Sequence, residues 1–205
     1  MNEPEPTVFV VDDDPAVGDS VRLLLKSVGV QSQVFVSASD FLDAYDPDRA
    51  GCLVLDVRMP GMSGLDLQAH LQDMGSTLPI IFVTAHGDVP MAVNAVKAGA
   101  TDFIQKPFRD QELLDKIQEA LEADRQTRAE QAGVAEIQSR LAALTPREKE
   151  VMDLVVEGMA NKNIARTLGI SQRTVEIHRA RVMEKMEVRS VSKLVQAVLK
   201  VGANP

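Results

Sequence analysis

The sequence has a single cysteine and no run of about eighteen apolar residues. One thiol cannot form an internal disulfide, which points to a reducing, cytoplasmic setting. That cysteine, Cys52, lies in the apolar run Cys52-Leu53-Val54-Leu55 and is expected as a small core residue. The missing apolar run excludes a membrane-spanning helix, so no membrane partner is expected. Residues 1–6 are acidic and Pro-rich without a basic stretch, so they do not read as a secretory signal.

What is present is the composition of a folded protein: 45% hydrophobic and 25% charged residues in a chain of 205, outside the disordered range. That length accommodates one large domain or two small ones. A net charge of −8 looks wrong for a nucleic-acid binder, but it hides an asymmetry. Residues 1–124 carry 8 Lys/Arg against 21 Asp/Glu, whereas residues 125–205 carry 14 against 9. The first part is therefore strongly acidic and the second basic, as two domains with different partners would be.

Up to residue 122 the chain alternates β-type runs with helical patterns. The strand candidates are residues 7–11, 33–36, 51–56, 80–84 and 102–105, and the first, third and fourth are nearly continuous apolar runs. Such runs suit parallel strands covered on both faces. Val17, Val21, Leu24, Leu25 and Val28 recur at helical spacing between them, as do Leu65, Leu67 and Leu71. Five β-α units predict a parallel, doubly wound, flavodoxin-like α/β domain, whose ligands bind beyond the carboxyl ends of the strands. Residues 123–143, rich in Ala, Gln, Glu and Arg, read as a partly helical linker that continues the fifth helix. Residues 144–205 carry no strand candidate and predict an all-α domain of four helices, over 145–158, 161–168, 172–186 and 191–199. Thr145-Pro146-Arg147-Glu148 is a capping box with proline at the first helical position. Gly169 turns the chain and Ser171 caps the third helix, giving a helix-turn-helix pattern.

Polar residues gather where the α/β domain should bind ligands. The first strand leads into Asp12, Asp13 and Asp14, the third into Asp56, the fourth ends at Thr84, and Lys106-Pro107 follows the fifth. Converging carboxylates repel one another unless a cation sits among them. Mg²⁺ suits a site that offers carboxylates together with waters or phosphate oxygens. A neighbouring lysine and hydroxyl would complete a phosphoryl-transfer site built on positioning and electrostatics. Singly, each residue has a plainer reading: Asp14-Pro15 is a good helix cap, Thr84 an ordinary strand residue, Lys106 a surface charge.

On the third C-terminal helix, Val175, Val182, Met186 and the stem of Arg179 share one arc. Arg173, Glu176, Ile177, Ala180, Arg181 and Glu184 share the opposite one. An apolar Ile177 among charges fits contact with a thymine methyl, and Glu176 can accept from a cytosine amine. An isolated exposed isoleucine on a solvated face is the plainer reading.

Several segments together resemble the receiver motifs of two-component response regulators. They are Val10-Val11-Asp12-Asp13-Asp14, Leu55-Asp56-Val57-Arg58-Met59-Pro60-Gly61-Met62-Ser63-Gly64, Thr84-Ala85-His86-Gly87-Asp88 and Lys106-Pro107-Phe108. The run from His86 to Val93 is similar to the FixJ subgroup. The resemblance implies that Asp56 is the phosphoacceptor for a sensor histidine kinase. Asp13, Asp56 and the backbone carbonyl of Arg58 would ligate Mg²⁺, with Asp12 acting through water. Lys106, followed by a cis proline bond, would pair with the phosphoryl group. Thr84 would move toward the phosphoryl group, with Phe103 as the switch aromatic or a plain core residue. His86 would be neither a metal ligand nor an acid-base group. Leu144-Thr145-Pro146-Arg147-Glu148, Asn161-Lys162-Asn163-Ile164-Ala165 and Thr174-Val175-Glu176-Ile177-His178-Arg179 are similar to the LuxR/NarL-type DNA-binding domain. That resemblance implies groove-facing Glu176, Ile177, Ala180 and Arg181, and phosphate contacts from Asn161, Lys162, Thr174, His178 and Lys185. His178 also reads as a core-edge histidine. Glu176 departs from relatives with lysine there, which implies a different base preference.

The resulting expectation is a transcriptional regulator, not an enzyme, that dimerises and binds double-stranded DNA on phosphorylation, with RNA polymerase as a further partner; unphosphorylated, the receiver would disfavour dimerisation or mask the DNA-binding helices. The helix over 89–98 with the fifth strand would form the dimer face. Val191, Leu194, Val195 and Val198 would add a second contact or complete the bundle core. Three rivals stand beside this: a phosphatase or phosphotransferase using Asp56, a phosphorylation-independent DNA binder, and an adaptor without DNA binding.

Overall fold

The computed structural model describes residues 5–85 and 89–202. The chain divides into two compact units between Arg128 and Ala129. The first holds five strands: β1 (Thr7–Val11), β2 (Gln31–Phe35), β3 (Gly51–Leu55), β4 (Ile80–Thr84) and β5 (Asp102–Gln105). They pair in parallel in the order β2-β1-β3-β4-β5. Between them lie α1 (Pro15–Ser27), α2 (Ala38–Ala44), α3 (Gly64–Asp73) and α4 (Val89–Lys97), and α5 (Asp110–Ala142) follows β5.

Alternation along the central strands explains the two-sided core. Phe9, Val11, Leu53, Leu55 and Phe82 face one layer, with Phe41 of α2, Leu67 and Leu71 of α3 and Ala95 of α4. Val8, Val10, Cys52, Val54, Ile81 and Val83 face the other, with Val21 and Leu25 of α1 and Leu113 and Ile117 of α5. Cys52 is fully buried, and that burial, with the Asp124 charge second, pushes its thiol up to about 12, so it is an inert core residue.

Parallel strands carry the chain repeatedly to one edge. The order reverses around β1: the chain goes outward to β2, then returns to β3 on the other side. The carboxyl ends of β1 and β3 therefore flank the crevice where such sheets bind ligands. At the opposite end, buried Asp124 accepts from the Gly51 backbone N–H at 2.9 Å and from Arg128 Nε at 2.9 Å and 3.0 Å. Arg128 also donates to the carbonyls of Pro47 and Arg49 at 3.1 and 2.8 Å, which fixes α5 to the loop before β3.

The second unit packs α6 (Pro146–Val156), α7 (Asn161–Leu168), α8 (Gln172–Lys185) and α9 (Val191–Gly202) around Val151, Val155, Ile164, Val175, Val182, Met186 and Leu194. Ile137 and Leu141, from the last turns of α5, join this core. The Thr145 hydroxyl accepts from the Glu148 N–H while the Glu148 carboxylate accepts from the Thr145 N–H, closing the expected capping box. Gly169, at φ 66°, takes the left-handed conformation that ends α7, and the Ser171 hydroxyl caps α8. No helix among the described residues is long and apolar enough to cross a membrane.

Candidate functional site

At the carboxyl edge of the sheet, two buried carboxylates converge on one ammonium group. Asp12, just past β1, is 4% exposed, and Asp56, just past β3, is 7% exposed. Lys106 Nζ lies 2.5 Å from Asp12 Oδ2 and 3.2 Å from Asp56 Oδ1. Backbone groups hold each carboxylate: the Asp14 N–H donates to Asp12 Oδ1 at 3.0 Å, and the Arg58 N–H donates to Asp56 Oδ2 at 2.7 Å. The strands fix the anchors, because the Asp56 N–H donates to the Val11 carbonyl and the Lys106 N–H to the Thr84 carbonyl, both at 2.9 Å. The Lys106–Pro107 bond is cis.

Electrostatics in this pocket favour a cation. Burial raises the Asp12 carboxyl above its ordinary range, despite the lowering effect of Lys106. Burial works against the Lys106 charge, but Asp12 and Asp56 outweigh it and hold the ammonium above its usual value. An all-oxygen, carboxylate-rich donor set that already surrounds one positive group fits a hard divalent ion such as Mg²⁺. Among the described residues, no three His, Cys, Asp or Glu side chains are grouped closely enough to hold a metal ion alone. Mg²⁺ tolerates that, because it retains waters and takes phosphate oxygens as ligands.

Asp13 is exposed, and its carboxylate makes no hydrogen bond or ion pair among the described residues. Thr84 ends β4 and is 1% exposed. Phe103, on neighbouring β5, is half-buried with its ring centroid 6.2 Å from that of Phe82. His86, Gly87 and Asp88 of the motif after β4 lie outside the described residues.

The helix-turn-helix shows the expected division of α8. Val175, Val182 and Met186 are buried, whereas Arg173, Glu176, Ile177, Ala180, Arg181 and Glu184 are all exposed. Ile177 keeps 47% of its surface. Lys162 at the start of α7 is exposed without a partner among the described residues. Thr174 is half-buried, its hydroxyl 2.8 Å from that of Ser171. His178 is half-buried too, and its Nδ1 is enclosed without a hydrogen-bond partner among the described residues. Lys185, also expected as a phosphate contact, is half-buried. Its ammonium is held by Glu148 at 2.7 Å and the Ala143 carbonyl at 3.1 Å.

Residues 8–118 match the response regulator receiver domain family, and residues 142–198 match bacterial regulatory proteins of the luxR family. The chain belongs to the response regulator family. This regulator is 49% identical to nodulation protein W of Bradyrhizobium diazoefficiens, over 92% of its own length and 83% of that relative. It is 43% identical to the transcriptional regulatory protein FixJ of the same organism, over 95% of each chain. Among solved structures, the response regulator StyR aligns at a TM-score of 0.89 with 46% identity, covering 96% of this chain and 99% of that one. The regulator is therefore a two-component transcriptional regulator of the FixJ type, with a receiver and a LuxR-type DNA-binding domain, and not an enzyme.

One contributor to the regulator's pocket was visible in the motif but had no role assigned to it. Gly64 opens α3 directly against the segment just past β3, its N–H donating to the Val57 carbonyl at 2.9 Å. A Cβ at this position would lie 2.2 Å from the Asp56 carbonyl oxygen, so only glycine lets α3 approach so closely. The Gly64 in the stretch after Asp56 was the available signal, but the contact partner depends on the fold.

Proposed function

We propose that Asp56 accepts a phosphoryl group from the phosphohistidine of a sensor kinase, and that this promotes dimerisation and binding to double-stranded DNA. The observation that carries this reading is the Lys106 ammonium bridging buried Asp12 and Asp56 at the carboxyl edge of β1 and β3. In the transfer, the phosphorus–nitrogen bond of the donor breaks and a bond to one Asp56 carboxylate oxygen forms, the electron pair returning to the donor imidazole. Lys106, already in reach of Asp56, neutralises charge on the incoming group. Asp13 and Asp56, with the Arg58 carbonyl, would hold Mg²⁺, Asp12 acting through water, and the ion would supply further charge neutralisation when bound. Thr84, at the end of β4, serves the phosphoryl group as a hydrogen-bond donor, and Phe103 on adjacent β5 repacks with it.

The output follows from the two exposed faces. Val93 and Val96 of α4 are 44% and 50% exposed, which supports α4 with β5 as the dimer face. On α9, Leu194 is buried in the bundle, while Val191 and Leu199 are 36% and 61% exposed and support a second contact. Residues 1–122 act as receiver, 123–143 as connector and 144–205 as DNA-binding domain. Glu176, Ile177, Ala180 and Arg181 read bases, while Asn161, Lys162, Thr174 and His178 hold phosphates. Lys185 contributes indirectly, by locking Glu148. The regulator works in the cytoplasm, where it meets its kinase, DNA and RNA polymerase.

Intact-mass measurement after incubation with Mg²⁺ and acetyl phosphate tests the input. Wild type should gain one phosphoryl group that Asp56→Asn does not. Equal labelling of the variant overturns Asp56 as the acceptor.

A further inference from the structure

Arg179 lies on the inner arc of α8, half-buried, beside Val151, Val155 and Val182 at a small apolar void. Its stem is well placed for packing, but its head lacks the partner a buried cation usually has. No carboxylate pairs with it among the described residues. Instead Nη1 donates to Oδ1 of Asn161, the first residue of α7, at 2.7 Å.

The chemistry of the pair fixes the Asn161 amide completely. A guanidinium has donors only, so the oxygen and never the NH₂ of an amide can face it. With Oδ1 held on Arg179, the two N–H bonds of Nδ2 must point elsewhere, and no described group accepts them. Asn161 is not spent on capping its own helix, since the N-cap is Ala160 and no side chain caps α7. The outcome is a locked amide that presents its donors at the start of α7, next to exposed Lys162.

We propose that Arg179 is a positioning residue for DNA binding: it does not touch DNA, but holds the Asn161 amide so that its NH₂ donates to a backbone phosphate. The proposal rests on the reading of residues 144–205 as the DNA-binding domain. A free asparagine would sample several rotamers and lose binding to their entropy. Coupling to α8 also sets the register between the helix that grips the backbone and the helix that reads bases.

The test uses the full chain with Mg²⁺ and beryllofluoride, a fluorescein-labelled mixed-sequence duplex, and binding isotherms over a series of salt concentrations. Asn161→Asp keeps an acceptor for Arg179 but deletes the NH₂ donor. Its thermal midpoint should match or exceed that of wild type while duplex affinity falls about tenfold, the size of one lost hydrogen bond to a charged group. Arg179→Lys and Asn161→Ala should each weaken binding several-fold, and the double variant should be no weaker than the worse single one. Their salt slopes should match that of wild type, because neither change removes a cation from a phosphate. Wild-type affinity in Asn161→Asp overturns the proposal even if Arg179→Lys proves unstable. Multiplying losses in the double variant overturn it too, since the two residues would then act independently. A wild-type chain that binds no duplex fails at an earlier step, overturning the DNA-binding reading and the proposal with it.

Discussion

At the scale of single residues, the pocket around Asp12, Asp56 and Lys106 is built by close approach as well as by charge. Gly64 carries no functional group, yet its missing side chain lets α3 rest on the Asp56 backbone. Gly64→Ala should therefore lower the rate of Asp56 phosphorylation by about a hundredfold, the scale of a misplacement near 1 Å. Lys106, Asp12 and Asp56 remain in that variant, and initial rates with acetyl phosphate check it. A rate near that of wild type would show that the pocket tolerates displacement of its floor. Glu148 illustrates the opposite case, a charge with a structural task. The Lys185 ammonium, with the Thr145 N–H behind it, lowers its carboxyl from 4.5 to about 2. A depressed carboxylate stabilises the fold above its unfolded value and loses that contribution as pH falls through the folded one. The second unit should thus lose stability between pH 4.5 and about 2. Glu148→Gln should be less stable at neutral pH and flatter across that window. Methyl NMR signals of Met152 and Met186 through an acid titration report it directly. Carboxylates at strand ends were legible from sequence because each follows an apolar run. The Lys185–Glu148 pair was not, because 37 residues separate its members.

At the scale of elements, strands and caps were the plainest signals. β1, β3 and β4 are fully buried, so their apolar runs stood out, whereas β2 is only partly buried and begins two residues before its predicted start. The seven-residue α2 was implied only by the count of five β-α units, being too short to show a period of its own. In the connector, Val134, Ile137 and Leu141 form a narrow seam at helical spacing within a polar, Ala-rich stretch, and the last two pack against the helical core of the second unit. Burial by tertiary partners, not composition, identifies that seam. The division of α8 into a buried and an exposed arc was legible because the two arcs differ so sharply in chemistry. It also yields a division of labour that binding can measure. Glu176→Lys should change which base is preferred at one position, by ~1–3 kcal/mol between the best and worst base. Lys162→Ala should weaken all sequences alike and reduce the salt slope by about one. Selection from a randomised duplex pool, followed by salt titration, separates the two effects. A Glu176→Lys variant with unchanged preference would remove that residue from the base-reading set.

At the scale of the whole molecule, charge and chemistry are divided between the units: an acidic receiver that concentrates carboxylates around one lysine, and a basic helical unit with an open recognition face. Asp56 and the exposed arc of α8 lie on different units, so under the proposed function the link between them passes through a change that phosphorylation favours energetically. Coupling of ~1–3 kcal/mol is enough to shift a monomer–dimer balance by about five- to 150-fold. The exposed valines of α4 supply apolar surface for such a balance. The most direct test is the solution mass of the full chain by light scattering, with Mg²⁺, before and after beryllofluoride, beside Asp56→Asn. The account predicts a shift from monomer to dimer in the wild type that the variant does not make. A wild-type chain that demonstrably binds beryllofluoride but keeps its mass would contradict dimerisation as the output of Asp56.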